Sequence, residues 1–288
     1  MQVITTVPHM QDWSAAHDSR PIAAVYTMGA LHRGHAHLMT FAREWIREQR
    51  DEECFVVASI FVNPTQFTNI QDLEKYPRTL SQDQDICEAA GVDAVFIPDV
   101  DQMYPEGIEH ATLMDAGFLK DKFEGESRPG HFDGVVTVVN KLFSATHPQY
   151  AFFGEKDYQQ LTVLRQFIAT HQLPIEIVGV PTVRDDDGVA LSSRNNRLTP
   201  HGRELARHIP IALDIVIHAA ASGVELELAI SSAKDYLNTF SEIELDYLIV
   251  TDPDMNAATT VGPGRVLIAA VIDGVRLLDN KPLQIGHV

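Results

Sequence analysis

Residues 27–38, TMGALHRGHAHL, join two segments of different periodicity, and this junction decides the fold class. The segment before it, IAAVYT at 22–27, is an apolar run of the kind that forms a buried strand. The segment after it carries apolar side chains at the spacing of one helix face: Leu38, Phe41, Ala42, Trp45 and Ile46. Because Gly29 and Gly34 allow the backbone to turn, the pattern predicts a strand, a turn and a helix.

The same alternation of strands and helices continues along the first part of the chain. Further apolar runs predict strands at 54–62, 92–97, 150–153 and 175–180, with helical spacing between them. Alternating strands and helices favour a parallel sheet that is covered on both faces. We therefore expect a Rossmann-like α/β domain over residues 1–183.

The texture of the sequence changes after residue 180. Residues 181–200, PTVRDDDGVALSSRNNRLTP, are polar and predict a linker or hinge. Beyond the linker, the pattern predicts helices at 203–221 and 225–240, then strands at 247–250, 265–272 and 275–278. The pair Asp273 and Gly274 indicates a hairpin between the last two strands. We expect a smaller α+β domain over residues 184–288, which the hinge would allow to close over a ligand site of the first domain.

Composition narrows the range of partners. The chain has 22 Lys and Arg residues against 40 Asp and Glu residues, a formal net charge of −18. Nucleic acid is not an expected partner, because a polyanion is repelled by a surface of the same sign. Cys54 and Cys87 lack metal-ligand spacing and suit a reducing compartment. Without a signal-like block or a long apolar run, we expect a cytoplasmic protein that does not bind membranes.

The junction at 27–38 has the features of a phosphate site. A turn that leads into a helix start presents unpaired backbone N–H groups and the positive end of the helix dipole. His32 and His35 would add donors to phosphate oxygens. A P-loop is disfavoured, since His35 and Ala36 replace its lysine and hydroxyl residue. A metal site of His32, His35 and His37, or a plain glycine turn with surface histidines, remains open on the residues alone.

Six blocks of the sequence carry a resemblance to a known family. They are TMGALHRGH (27–35), SIFVNPTQF (59–67), YPRTL (76–80), SRPGHFDGV (127–135), FGEKDYQQL (153–161) and LSSRNNRL (191–198). The first resembles the HIGH-type signature of the nucleotidyltransferase superfamily. Together, with a looser match at VRLLDN (275–280), they resemble the pantothenate synthetase family, also called pantoate–β-alanine ligases.

The resemblance implies an activity in two half-reactions. Pantoate attacks the α-phosphorus of Mg²⁺-bound ATP to give pantoyl adenylate and pyrophosphate, and β-alanine then displaces AMP to give pantothenate. It implies ATP as a substrate, Mg²⁺ as a cofactor and a homodimer. Two alternatives stay open: another adenylyltransferase, acting on a nucleotide or a tRNA, and a regulatory module that senses ATP without turnover.

The resemblance also assigns roles to residues. It implies catalytic roles for His35, His32, Lys156 and Arg194, and places pantoate on Gln66 and Gln160, with Gln66 also near β-alanine. The residues that it implies for ATP binding are Met28, Gly29, Ala30, Leu31, His32, Arg33, Gly34, His35, Gly154, Glu155, Lys156, Asp157, Val183, Leu191, Ser192, Ser193 and Arg194. We assign no protein ligand to the metal, although Asp83 is a candidate for holding hydrated Mg²⁺.

Read without the family, the same residues have plainer interpretations. Residues 154–157 also fit a solvated turn with an ion pair, and residues 191–195 fit a helix cap with a surface arginine. Gln66 and Gln160 also fit buried glutamines that satisfy backbone groups.

Overall fold

The computed structural model describes residues 1–67, 70–258 and 260–286. The chain divides into two compact units, each with its own hydrophobic core. The first contains residues 1–154 and 159–180, and the second contains residues 155–158 and 181–288. The predicted boundary between residues 183 and 184 stays a prediction. No helix among the described residues is long and apolar enough to cross a membrane.

The first unit is built on one parallel sheet, which confirms the predicted α/β class. Its strands are β1 Gln2–Ile4, β2 Ile22–Thr27, β3 Phe55–Ile60, β4 Ala94–Phe96, β5 Tyr150–Gly154 and β6 Glu176–Val180. They pair in the order β1-β4-β3-β2-β5-β6, all parallel. From β2 the chain passes outward through β3 to β4, and β5 and β6 then lie on the other side. The carboxyl end of β2 is therefore at the switch point where open α/β sheets bind ligands.

The helices of the first unit follow the strands in sequence. They are α1 Val7–Ala16, α2 Arg33–Arg50, α3 Ile70–Glu74, α4 Leu80–Ala89, α5 Val100–Met103, α6 Glu124–Ser127, α7 His131–Thr146 and α8 Tyr158–His171. The amphipathic stripe predicted after the junction belongs to α2, whose Met39, Ala42 and Ile46 are fully buried. Burying that face fixes the start of α2 directly after the turn that follows β2.

The second unit is a smaller α+β body, as predicted. Its elements are α9 Pro200–Leu205, α10 His208–Ala221, α11 Leu226–Leu237, β7 Glu244–Thr251, β8 Gly262–Ile272 and β9 Val275–Ile285. The three strands form an antiparallel sheet in sequence order. Asp273 and Gly274 adopt φ values of 54° and 70°, which confirms the predicted hairpin.

The helix predicted at 203–221 is instead two helices. Pro210 lies in the first turn of α10 and has no N–H to donate to the carbonyl of Ala206. Its ring also crowds that carbonyl, so the first helix ends near residue 206 and α10 begins as a separate helix. A single continuous helix was therefore a wrong prediction, and the proline was the available signal.

Candidate active site

The turn between β2 and α2 is held in an unusual backbone conformation. Gly29 has φ of +81° and Ala30 has φ of +50°, both in the left-handed region that favours glycine. A Cβ at residue 29 would lie only 3.0 Å from Asp83 Oδ2. The turn is thus tight and is packed directly against α4.

The backbone N–H groups of this turn are already satisfied within the protein. Gly29 donates to Thr27 Oγ1 at 3.2 Å, and Ala30 and Leu31 donate to the two carboxylate oxygens of Asp83 at 3.1 and 2.8 Å. The N–H groups of residues 29–31 are therefore not among the unpaired donors that were expected at this turn and helix start. Asp83 is 1% exposed and also accepts the hydroxyl of Thr79, so its carboxylate holds the turn against α4, and its candidacy for hydrated Mg²⁺ stays a prediction.

His32 and His35 form a reciprocal cap at the start of α2. His32 Nδ1 accepts the backbone N–H of Gly34 at 3.1 Å, and His35 Nδ1 accepts the backbone N–H of His32 at 3.2 Å. A neutral imidazole whose Nδ1 accepts must carry its proton on Nε2. The two rings lie 4.1 Å apart between centroids, so two neighbouring Nε2–H donors result.

This cap argues against the metal-site alternative. The Nδ1 atoms of His32 and His35 are used on backbone groups, and His37 packs its ring beside Phe41, 5.8 Å away between centroids. Within residues 1–67, 70–258 and 260–286, no three His, Cys, Asp or Glu side chains are arranged to hold a metal ion. The plain-turn alternative is incomplete as well, because the histidines themselves build the helix start.

Gln66 ends a short 3₁₀ turn, Pro64–Gln66, that follows β3. The start of the turn is fixed by Asn63, which is 1% exposed. Its Oδ1 accepts the Tyr104 hydroxyl at 2.9 Å, and its Nδ2 donates to Gly134 O at 3.3 Å. Burial raises the pKa of Tyr104, which keeps the hydroxyl protonated as a donor. Sequence reasoning missed Asn63 and Tyr104 as the supports of Gln66.

Two consecutive glutamines on α8 have different surroundings. Gln159 is buried, and its amide bonds to backbone groups of Leu119, Lys122 and Glu124 at 2.8–3.0 Å. Gln160 is half-buried, and no hydrogen bond described for residues 1–67, 70–258 and 260–286 uses its amide. The same holds for the Gln66 amide. Gln159 is thus a buried glutamine that satisfies backbone groups, whereas the substrate-binding roles of Gln66 and Gln160 stay a prediction.

In the second unit, residues of β8 and β9 hold the turn Glu155–Asp157 by hydrogen bonds. Arg265, 6% exposed, donates to Glu155 Oε2 at 2.7 Å and to Asn280 Oδ1 at 2.7 Å. Asn280 Nδ2 in turn donates to the carbonyl oxygens of Glu155 and Lys156, both at 2.9 Å. The carboxylate of Glu155 thus anchors the turn, and Lys156 is held by its backbone. Sequence reasoning gave no role to Arg265 or Asn280.

Lys156, Ser192 and Arg194 line one open pocket within the second unit. Lys156 Nζ lies 3.2 Å from Asp157 Oδ1. Ser192 Oγ accepts the Arg194 N–H at 3.2 Å and caps the 3₁₀ turn Ser193–Arg197. A lysine, an arginine and a hydroxyl in one pocket suit a polyphosphate.

The other predicted ATP-binding residues divide between the two units. Met28 to His35 belong to the first unit, as does Gly154 at the end of β5. Val183 and Leu191 belong to the second unit and are joined by a backbone hydrogen bond of 2.9 Å. Neither of these two residues, nor Ser193, lines the pocket that contains Lys156.

A sequence model of the pantoate-beta-alanine ligase family matches residues 2–282. The chain belongs to this family. The resemblance drawn from the six sequence blocks is therefore confirmed. Among the family's relatives, the pantothenate synthetase of Mycolicibacterium smegmatis is 48% identical over 267 residues, which cover 93% of this chain and 82% of that protein.

Solved structures of the family have the same fold. The pantothenate synthetase of Thermus thermophilus is 41% identical, with a TM-score of 0.88 over 98% of this chain and 99% of that one. The pantoate-beta-alanine ligase of Francisella tularensis, solved with beta-gamma ATP and beta-alanine, is 32% identical, with a TM-score of 0.75 over 98% and 97%. Both cover nearly all of this chain, so the similarity extends over both units.

Proposed function

We propose that this chain condenses pantoate with β-alanine, using ATP, and releases pantothenate, AMP and pyrophosphate. Membership of the family supports the reaction. The observation that carries the catalytic assignment is the reciprocal cap of His32 and His35, which directs both ring protons to Nε2. Because the backbone donors at residues 29–31 are already used, we assign a phosphate contact at this turn to the two imidazoles.

In the first half-reaction, a carboxylate oxygen of pantoate attacks the α-phosphorus of ATP. A bond forms between that oxygen and phosphorus, the bond from phosphorus to the bridging oxygen breaks, and pyrophosphate leaves with the electron pair. We assign His32 and His35 to stabilising charge on the phosphate oxygens, and Lys156, Ser192 and Arg194 to binding phosphates. The remaining predicted ATP contacts stay part of this proposal.

In the second half-reaction, the amine of β-alanine attacks the acyl carbon of pantoyl adenylate. The new C–N bond forms as the acyl–oxygen bond to AMP breaks, and the amine loses a proton. We assign Gln66 and Gln160 to pantoate, since an amide both donates to a carboxylate and accepts from a hydroxyl. Gln66 is also proposed to lie near β-alanine. This chemistry needs no covalent enzyme intermediate.

Magnesium enters this scheme bound to the substrate. Because Asp83 uses both oxygens on the turn, we place the ion on ATP phosphates and water, as is common for Mg²⁺. We further propose that the protein acts as a homodimer in the cytoplasm. Sedimentation equilibrium of the purified protein tests the dimer, and a monomer at micromolar concentration would contradict it.

An omission assay tests the proposed function. The purified chain is incubated with Mg²⁺, ATP, pantoate and β-alanine, and each is left out in turn while pyrophosphate and pantothenate are measured. We expect pyrophosphate to require pantoate and pantothenate to require all three organic substrates. Binding of ATP without turnover would support the sensor alternative, and turnover with a nucleotide or tRNA in place of pantoate would support another adenylyltransferase.

A further inference from the structure

We infer that His131 and Arg128 are positioning residues that set the orientation of Gln66. The inference rests on the proposed function, in which Gln66 binds pantoate. His131 begins α7 and is 8% exposed. Its imidazole has no part in the reaction steps above, and a buried ionisable side chain beside a substrate-binding turn calls for a physical role.

Both side chains donate to the same acceptor, the backbone carbonyl of Gln66. His131 Nδ1 lies 3.0 Å from Gln66 O, and Arg128 Nη2 lies 3.3 Å from it. Two donors on one carbonyl oxygen hold the peptide that follows Gln66 in place. The direction in which the Gln66 side chain leaves the backbone is fixed with it.

The contact between the two side chains selects one imidazole tautomer. Arg128 Nη1 lies 3.1 Å from His131 Nε2. Because a guanidinium only donates, Nε2 must accept, and the ring proton must reside on Nδ1. That is the proton which His131 donates to Gln66 O. Arg128 therefore donates both to the Gln66 carbonyl and to the imidazole of His131, which donates to the same carbonyl. The tautomer of His131 is opposite to that of His32 and His35.

The first turn of α7 presses on the same short turn at a second point. A Cβ at Gly134 would lie 2.4 Å from the carbonyl oxygen of Thr65. The backbone of α7 thus packs directly against the turn one residue before Gln66. Close packing at Thr65 and two hydrogen bonds at Gln66 together leave this turn little freedom. Small displacements of binding groups matter, since about 1 Å of misplacement lowers rates by roughly 10²-fold.

The test separates positioning of Gln66 from general damage. His131→Leu keeps volume but removes the donor, and we expect the KM for pantoate to rise about tenfold, the loss of one buried hydrogen bond. The KM for ATP is expected to change less than about twofold, because the ATP-binding assignments do not involve this turn. His131→Asn places an amide donor near the position of Nδ1, and we expect it to restore most of the pantoate affinity.

A matched control and a direct measurement complete the test. His208→Leu removes a half-buried imidazole that bonds Tyr236 at 2.7 Å in the second unit, and pantoate KM should stay unchanged. In the unmodified protein, imidazole ¹⁵N NMR should show His131 as the Nδ1–H tautomer, and Arg128→Met should introduce the Nε2–H form. An Nε2–H tautomer in the unmodified protein would overturn the inference without any activity measurement.

The outcomes also distinguish this inference from the proposed function. If the unmodified chain makes no pantothenate from pantoate, the proposed function fails, while the NMR tautomer still tests the geometry. If it does make pantothenate and His131→Leu leaves pantoate KM unchanged, or raises ATP KM equally, the positioning role is wrong.

Discussion

In both His32 and His35, the two ring nitrogens have different roles. His32 Nδ1 accepts the N–H of Gly34, His35 Nδ1 accepts the N–H of His32, and the Nε2–H of each ring is proposed to donate to phosphate. His35→Asn keeps an acceptor near the position of Nδ1 but lacks a donor at Nε2. We expect pantoate-dependent pyrophosphate release to fall by about 10²- to 10³-fold, the usual loss of one transition-state donor. His35→Gln, which carries an amide farther out, should recover part of the rate.

The control for this prediction lies two residues away. His37 is exposed on α2, so His37→Asn changes a histidine of the same motif without touching the cap. Its rate should match that of the unmodified protein, and circular dichroism should show the same helix content in every variant. Near-normal pyrophosphate release by His35→Asn would remove His35 from the catalytic assignment.

Local spacing in the sequence predicted the turn at residues 27–35 but not the distant residues that support it. The glycines and histidines of residues 27–35 pointed to a strand-to-helix turn, because local spacing carries that signal. Asp83 was considered only as a candidate for holding hydrated magnesium, and its hydrogen bonds from Ala30 and Leu31 were not predicted. That partnership spans 52 and 53 residues, and only the parallel packing of β2, β3 and α4 brings the groups together.

At the scale of elements, β9 shows where periodicity fails. The strand was predicted to end at residue 278, but it runs from Val275 to Ile285. Asp279 and Asn280 are depleted in strands in general and Pro282 lacks an N–H, so the pattern appeared to stop. Here Asp279 pairs with Arg184 at 2.7 and 2.9 Å, and β9 is an edge strand, where proline is tolerated. The polar residues that interrupted the strand pattern, Asp279 and Asn280, hold other segments in place by hydrogen bonds.

Asn280 connects β9 to the turn that carries Lys156. Its amide donates to the carbonyls of Glu155 and Lys156 and accepts from Arg265. Asn280→Ala removes all three bonds and loosens the turn that carries Lys156. We expect kcat/KM for ATP to fall by about tenfold or more while KM for pantoate changes little, because Lys156 is assigned to phosphates.

Steady-state kinetics with each substrate varied in turn checks this expectation. Asn256→Ala is the matched control, since Asn256 bonds Asp252 in an exposed turn of the same unit. It should leave both parameters unchanged. A larger effect of Asn280→Ala on pantoate than on ATP would contradict the assignment of Lys156.

For the chain as a whole, the two predicted fold classes are confirmed, and residues 155–158 show what local patterns leave out. Contacts group this turn with residues 181–288, although it directly follows β5 of the first unit. The reason is the pair of long-range bonds from Arg265 and Asn280, which no local pattern encodes. Net charge, by contrast, follows from composition and depends on no particular contact. The expectation against a nucleic-acid partner could therefore be drawn from the sequence alone.

The negative net charge of the chain disfavours binding of a polyanion such as tRNA. With a formal charge of −18, the surface repels polyanions, whereas the phosphates of ATP are proposed to bind in a local pocket containing Lys156 and Arg194. We expect unfractionated tRNA to give no gel shift at low salt and no change in pantoate-dependent pyrophosphate release. Low salt is the stringent condition, because it strengthens any phosphate contact. A basic nucleic-acid-binding protein of similar size is the positive control. A tRNA shift, or pyrophosphate release stimulated by tRNA without pantoate, would instead favour an adenylyltransferase that acts on tRNA.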